Sequence, residues 1–350
     1  MNRLRWAVAL VVLVAVAALL SRGMVPTPFA ETSSTATALP APSALRALVV
    51  LPDDGANSIL DELAAAKSTI DLYIYLLPSD DVIALLGKAQ DRGVSVRVIL
   101  ERDPFGGGNS NQESFDRLTA MGIKVRWAPE EFQFSHIKLM VIDRETAVIM
   151  TLNLSYSALT TNREFAVVTT ELVDVTSALS LFNADWDNQP AAVSAPLVIS
   201  PTTSRAEIVH LIRSATTSIE MFTEVIRDKG IRDELVAQAE AGVMIRILVP
   251  GDPTADDLTI YRDLEAHGIQ IRQLVDLYSH AKAIIVDGVR AFVGSQNLTA
   301  TSLDENREMG ILLTEPDNLA RLKRTFTHDW AGAHEALQAG GIAFLARIRS

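Results

Sequence analysis

Apolar and polar positions follow two rhythms along this chain, one helical and one extended, and the sequence runs through both twice. Helical spacing marks Ile59 to Ala66, Asp81 to Arg92 and Glu113 to Met121, with apolar, β-branched runs at Ile70 to Leu76 and Val94 to Leu100 between them. The same order returns as helices over Ile208 to Ser214, Arg232 to Ala241 and Ala255 to His267, with strands at Ile219 to Thr223 and Val243 to Val249. Each series then leads through a short strand into a hairpin. Strands alternating with helices predict an α/β fold of mixed, mostly parallel sheets flanked by helices, to which the late hairpin adds antiparallel character.

The repetition extends to individual residues. Ile70 and Ile219 are 149 positions apart, as are Gly93 and Gly242; His136 and His280 are 144 apart, as are Trp186 and Trp330. Chance does not hold such a register, so the chain is a tandem duplication. Its two similar halves are expected to pack about a pseudo-twofold axis, as homodimers do. The expected organisation is an export signal or membrane anchor at 1–22, a disordered linker at 23–44, halves at 45–187 and 196–335, and a tail at 336–350. Residues near Asn188 to Ser200, with two prolines, read as the connector between halves.

Composition narrows the options. The chain has 350 residues, 48% of them hydrophobic, enough for a substantial core, and no cysteine, which excludes disulfides, a thiol nucleophile and cysteine-bound zinc. Its net charge of -12 disfavours a broad grip on nucleic acid but leaves room for a local basic pocket. Arg3 and Arg5 precede an unbroken apolar run from Trp6 to Leu20, the pattern of an export signal and short for a membrane span of about 20 residues. An extracytoplasmic protein is expected, secreted, periplasmic or anchored by this segment. Ser21 to Ser43, rich in Pro, Thr, Ser and Ala, suits a tether.

The candidate chemistry lies in the hairpins. His136-Ile137-Lys138 is followed by Asp143, and His280-Ala281-Lys282 by Asp287. Positions i and i+2 of a strand share a face, so each histidine and its lysine point the same way. On the returning strand Thr151 and Asn153, and Ser295 and Asn297, are again two apart. Glu164 and Glu308 close matching Asn-Arg-Glu triplets and give each imidazole a candidate carboxylate partner. Lys, Asn and hydroxyl donors suit the charge on a phosphodiester in displacement, and imidazole serves as nucleophile or proton carrier. Thr151, Asn153, Ser295 and Asn297 are therefore expected to bind substrate phosphate, with one histidine attacking phosphorus and the other protonating the leaving alcohol. No metal or cofactor is required. Asp143 and Asp287 read as structural acceptors at hairpin ends.

His-x-Lys, four residues, Asp, six residues and Gly-Ser-x-Asn resemble the signature of the phospholipase D superfamily. The resemblance runs from Leu45 to Trp330. The second copy fits throughout (His280, Lys282, Asp287, Gly294, Ser295, Asn297), whereas the first has Met150 for Gly and Thr151 for Ser, which is expected to reshape the pocket floor. It implies a phosphodiesterase with His136 as nucleophile, His280 as acid and base, and Glu164 and Glu308 as the carboxylates behind them. The implied substrate is a phospholipid, at a membrane surface; the alternatives are an exported nuclease acting on DNA or RNA, and an inactive binding module in which Met150 spoils the first half. A monomer is expected, since the fused repeat supplies the paired site.

Phe132, Phe134 and Tyr278 are candidates for a lipid-facing wall or for core. His210, His267, His328 and His334 lack such company and read as surface or core residues. The Gly106-Gly107-Gly108 loop lacks the ending of a P-loop.

Overall fold

The structure is a computed structural model, and it describes residues 45–105, 108–191 and 196–336. The expected export segment, the linker, Gly106, Gly107 and residues 337–350 lie outside the described residues. Among the described residues no helix is long and apolar enough to cross a membrane.

The first half runs β1 (Arg46–Leu51), α1 (Asn57–Ala65), β2 (Thr69–Ile74), α2 (Asp80–Asp91), β3 (Ser95–Leu100), α3 (Ser110–Ala120), β4 (Lys124–Trp127), β5 (Lys138–Ile142), β6 (Thr146–Met150), α4 (Tyr156–Thr160), β7 (Glu164–Thr169) and α5 (Leu172–Trp186). The second repeats it: β8 (Leu197–Ser200), α6 (Ser204–Arg213), β9 (Ser218–Phe222), α7 (Lys229–Glu240), β10 (Met244–Pro250), α8 (Ala255–Ala266), β11 (Gln270–Leu274), β12 (Ala283–Val286), β13 (Arg290–Gly294), α9 (Ala300–Asp304), β14 (Glu308–Leu313) and α10 (Pro316–Gly332), followed by β15 (His334–Glu335). Several helix starts carry local caps. Ser79 accepts from Val82 N, Asp228 accepts from Ile231 N, and Thr254 forms a capping box with Asp257.

The sheets are ordered β1-β7-β6-β5-β2-β3-β4 and β15-β11-β10-β9-β12-β13-β14-β8. They are mixed, as expected, but not mostly parallel. Only β2-β3-β4 and β9-β10-β11 run parallel, through their crossover helices. The hairpins and the strands beside them make every other pairing antiparallel. Pairing outward from β2 therefore changes sense at β5 and from β9 at β12, the strands that follow the two histidines. The stretch read as connector also differs: Leu197–Ser200 forms β8, a buried strand paired with β14. Four consecutive apolar or small side chains find more stabilisation in a sheet than in solvent.

The described residues pack into three apolar layers, of which the central one joins the halves. The central one draws on both sheets, with Leu139, Val141, Ile149 and Val167 on one side and Ala283, Ile285, Val293 and Ile311 on the other. It is closed by Val175, Phe182 and Trp186 of α5 and Leu322, Phe326 and Trp330 of α10. Each sheet's other face packs separately, in one half around Leu72, Met140 and Val148 and in the other around Met221, Ile284 and Phe292. One continuous core across both halves fixes their relative position, which a site shared between them requires.

Candidate active site

Each histidine sits two or three residues ahead of a buried strand, where backbone pairing with the opposite half holds it. His136 N donates to Arg307 O at 2.7 Å, and Arg307 N donates to Phe134 O at 2.8 Å. The mirror pairing has Arg163 N donating to Tyr278 O at 2.9 Å and His280 N donating to Arg163 O at 3.3 Å. Both form isolated parallel bridges between the halves. Ile137 and Ala281, between each histidine and its lysine, are buried in the central core.

This exchange lays each Asn-Arg-Glu triplet against the other half's histidine segment. His136 Nδ1 thus lies 2.8 Å from Glu308 Oε2, and His280 Nδ1 lies 2.7 Å from Glu164 Oε1. The second contact is an ion-pair approach without an aligned hydrogen bond at either atom. The arginines cross too. Arg163 grips Asp329 at 2.7 and 3.0 Å, and Arg307 grips Asp185 at 2.9 and 2.6 Å, all four buried. The aspartate before the closing tryptophan of each half therefore anchors the other half's arginine.

The hydroxyls are placed differently from expectation. Thr151 Oγ1 donates to Glu164 Oε2 at 2.5 Å and Ser295 Oγ donates to Glu308 Oε2 at 2.6 Å, and both residues are fully buried. They hold the glutamates rather than face the cleft. Two buried carboxylates bound for imidazoles need further donors, and the nearest hydroxyls supply them. Ser302 Oγ at 2.6 Å and Asn306 Nδ2 at 3.0 Å complete the shell of Glu308. Met150 does not reshape the pocket floor either: it is fully buried in the outer apolar layer of its half.

His136, His280, Asn153 and Asn297 do come together, lining one cleft of about 420 Å³ with Tyr75, Phe134 and Glu224. A larger groove of about 640 Å³ between Glu265, Arg272 and Trp330 contains none of these groups. Lys138 Nζ donates to His136 O at 2.8 Å and lies 5.0 Å from the Tyr75 ring centre. Lys282 Nζ donates to His280 O at 2.6 Å and to Glu224 Oε2 at 2.8 Å. Phe132 packs under Arg307, and the Tyr278 hydroxyl reaches Glu224 at 3.4 Å. His210, His267, His328 and His334 are exposed and outside the cleft.

Burial dominates the electrostatics. It pushes the His136 imidazole down to about 4 despite the opposing pull of Glu308, so the ring is neutral near pH 7. It also brings the Lys138 ammonium down to about 7. Burial raises Glu224, but Lys282 and His280 outweigh it and hold the carboxyl well below its ordinary range. With a carboxylate at each Nδ1, the Nε2 atoms are the nitrogens left for chemistry. Among the described residues no group of three or more His, Asp or Glu side chains is arranged to hold a metal ion.

Asp143 and Asp287 lie away from this chemistry, at positive φ in their turns. Asp143 accepts from the amides of Lys67, Ser68 and Thr69, and Asp287 from those of Thr216, Thr217 and Ser218. Although burial opposes it, these donors hold Asp143 down at about 2 and Asp287 lower still.

Two duplicated halves whose histidines and asparagines line one cleft, with a buried lysine bonded to the carbonyl of each histidine, define the fold and site of the phospholipase D class. Residues 59–186 and 208–330 match the family described as "Cardiolipin synthase, PLD-like domain", and the chain belongs to that family. A cardiolipin synthase of Oceanobacillus iheyensis is 26% identical over 317 residues, a stretch covering 78% of this chain and 66% of that protein. The chain thus spans just under two thirds of that relative's length. Among solved structures, the phosphatidylserine synthase of Haemophilus influenzae superposes with a TM-score of 0.61 at 12% identity, covering 84% of this chain and 91% of that one. The polyphosphate kinase of Porphyromonas gingivalis gives 0.65 at 18%, covering 83% and 52%. These two likenesses concern the fold alone.

Glu224 and Tyr75 had not been singled out from sequence. They occupy equivalent positions of the two repeats, one and two residues beyond β2 and β9, and the signal that marks them is a difference between halves.

Proposed function

We propose that the cleft transfers or hydrolyses phospholipid headgroups by two successive displacements at phosphorus. The supporting observation is that both imidazoles line one cleft, each backed at Nδ1 by a glutamate of the opposite half. His136, kept neutral by burial, attacks through Nε2; an N–P bond forms as the P–O bond to the leaving alcohol breaks. The departing oxygen takes its proton from Nε2–H of His280. His280 then removes the proton of an acceptor alcohol or water, whose oxygen attacks phosphorus and returns His136 to its free state. Lys138, Lys282, Asn153 and Asn297 hold the non-bridging oxygens, where negative charge is spread in the transition state. Thr151 and Ser295 act one step back, positioning Glu164 and Glu308.

A lipid substrate is favoured by the cardiolipin synthase relatives, by the aromatic wall of Tyr75, Phe105 and Phe134, and by the net charge of -12. The apolar run at Trp6 to Leu20 supports an extracytoplasmic location at a membrane surface, and the paired site within one chain supports a monomer. The test is mass spectrometry of enzyme quenched during turnover on phosphatidylglycerol vesicles. A phosphatidyl adduct on His136 is expected. Cleavage of plasmid DNA with no headgroup released from vesicles would instead favour the nuclease reading.

A further inference from the structure

The two half-sites differ at one position that determines their charge. In the first half Tyr75 follows β2, and its ring stands edge-on to His136 with centres 4.5 Å apart. In the second half the same position is Glu224. One of its oxygens, Oε2, lies 2.8 Å from Lys282 Nζ, 3.2 Å from Asn297 Nδ2 and 3.5 Å from His280 Nε2. Lys282 and Asn297 are assigned above to a substrate phosphate and His280 Nε2 to the leaving oxygen, so a carboxylate oxygen occupies a spot where a phosphate oxygen would bind. Lys138 has no such partner; its ammonium faces the Tyr75 ring and the His136 carbonyl.

We propose that Glu224 is a specificity-determining residue: an internal anion that a phosphodiester must displace and that rejects dianionic phosphate. The inference rests on the phosphodiesterase reading of the cleft. Glu164 and Glu308 already balance Lys138 and Lys282, so Glu224 offsets the remaining positive charge, the proton His280 holds for the leaving alcohol, and places a negative charge beside the reacting phosphorus before any phosphate enters. A diester carries one negative charge against it, whereas a phosphomonoester or free phosphate carries two. Repulsion between charges a few ångströms apart in a partly buried cleft is several-fold stronger than in water, so the dianion is disfavoured steeply. Displacement has a route. Glu224 keeps 21% of its side chain exposed, and Oε1 already lies 3.4 Å from the hydroxyl of half-exposed Tyr278 at the rim. Product lipids ending in a phosphomonoester would be expelled by the same charge.

The test is calorimetric binding of two probes near neutral pH to the full chain. Sulfate is a tetrahedral dianion of fixed charge, and dimethyl phosphate is a monoanionic diester. In Glu224→Gln, sulfate affinity is expected to rise about tenfold or more, and by a larger factor than that for dimethyl phosphate. Glu224→Ala is expected to behave alike, and a thermal melt close to that of the unchanged protein establishes the fold of both. Sulfate affinity that stays level or falls, or an equal gain for both probes, overturns the proposal. If turnover still leaves an adduct on His136, that result counts against the role of Glu224 and not against the phosphodiesterase reading. Failure of both probes to bind any of the three proteins, with no adduct, removes both.

Discussion

His136 receives its carboxylate from across the interface: its Nδ1 stands 2.8 Å from Oε2 of Glu308, a residue 172 positions later in the chain. His280 and Glu164 form the reciprocal pair. Each half therefore carries an imidazole it cannot orient alone and a glutamate with no imidazole of its own to serve.

Replacing Glu308 with Gln leaves the shape of the site but puts an amide opposite Nδ1. The ring loses the acceptor that fixes its tautomer, and formation of the adduct on His136 is expected to slow by about 100-fold or more. Single-turnover kinetics on labelled vesicles would register this; a rate within twofold of the unchanged enzyme would deny Glu308 its orienting role.

Turnover should fall on the alkaline side of neutrality. Lys138 sits at about 7, so raising the pH past that value removes its charge and weakens its hold on phosphate. His136, at about 4, stays neutral and ready to attack down to that pH. A profile of kcat/KM with an alkaline limb near pH 7 is expected. In Lys138→Arg, whose guanidinium stays charged throughout, whatever activity survives should lose that limb. A limb that persists in the variant would assign it to another group.

Asp143 and Asp287 are expected to matter for stability more than for chemistry. Each carboxylate gathers three backbone amides from a residue at positive φ. Asp143→Ala removes those bonds and puts alanine in a left-handed conformation, a combined loss of about 2–3 kcal/mol. Asn, which tolerates that conformation, should cost less. Urea titration measures both, and the folded fraction of either variant should retain its turnover.

Gly294 and Met150 occupy equivalent places with opposite requirements. A Cβ on Gly294 would come within 2.5 Å of Gly310 Cα and 2.7 Å of the Phe292 ring. Gly294→Ala should therefore destabilise by about 1–3 kcal/mol through overpacking. Met150 pairs with Ala166 where Gly294 pairs with Gly310, and Val148 replaces Phe292. Met150 is itself fully buried in the apolar layer. Met150→Gly would then open a void and cost at least about 2 kcal/mol, rather than repair a defect. Thermal melts of the two variants should both shift downward.

Most of the site was legible because duplication singles out what two halves share. His136, His280, the lysines, Asn153, Asn297 and the glutamates were all visible as repeated pairs, and the order of the inner helices and strands followed from spacing. The same logic hid Glu224, because its counterpart is a tyrosine and a residue present once leaves no echo. Which glutamate serves which histidine was equally out of reach: both lie 28 positions after their own half's histidine, and only the packing of the halves crosses them. The placement of Thr151 and Ser295 failed for a related reason. Alternation along a strand says which face a hydroxyl shares with its neighbours, but not that a buried carboxylate will claim it first. β1 and β8 went unread because each is a short apolar run without alternation beside prolines.

The asymmetry between Tyr75 and Glu224 is one that two identical chains could not have. In a pair of separate subunits, any substitution appears on both flanks of the axis, so an acidic group at this position would have faced both lysines at once. A single polypeptide escapes that symmetry. One flank stays open to receive phosphorus while the other screens what arrives, and each can be altered without touching its twin.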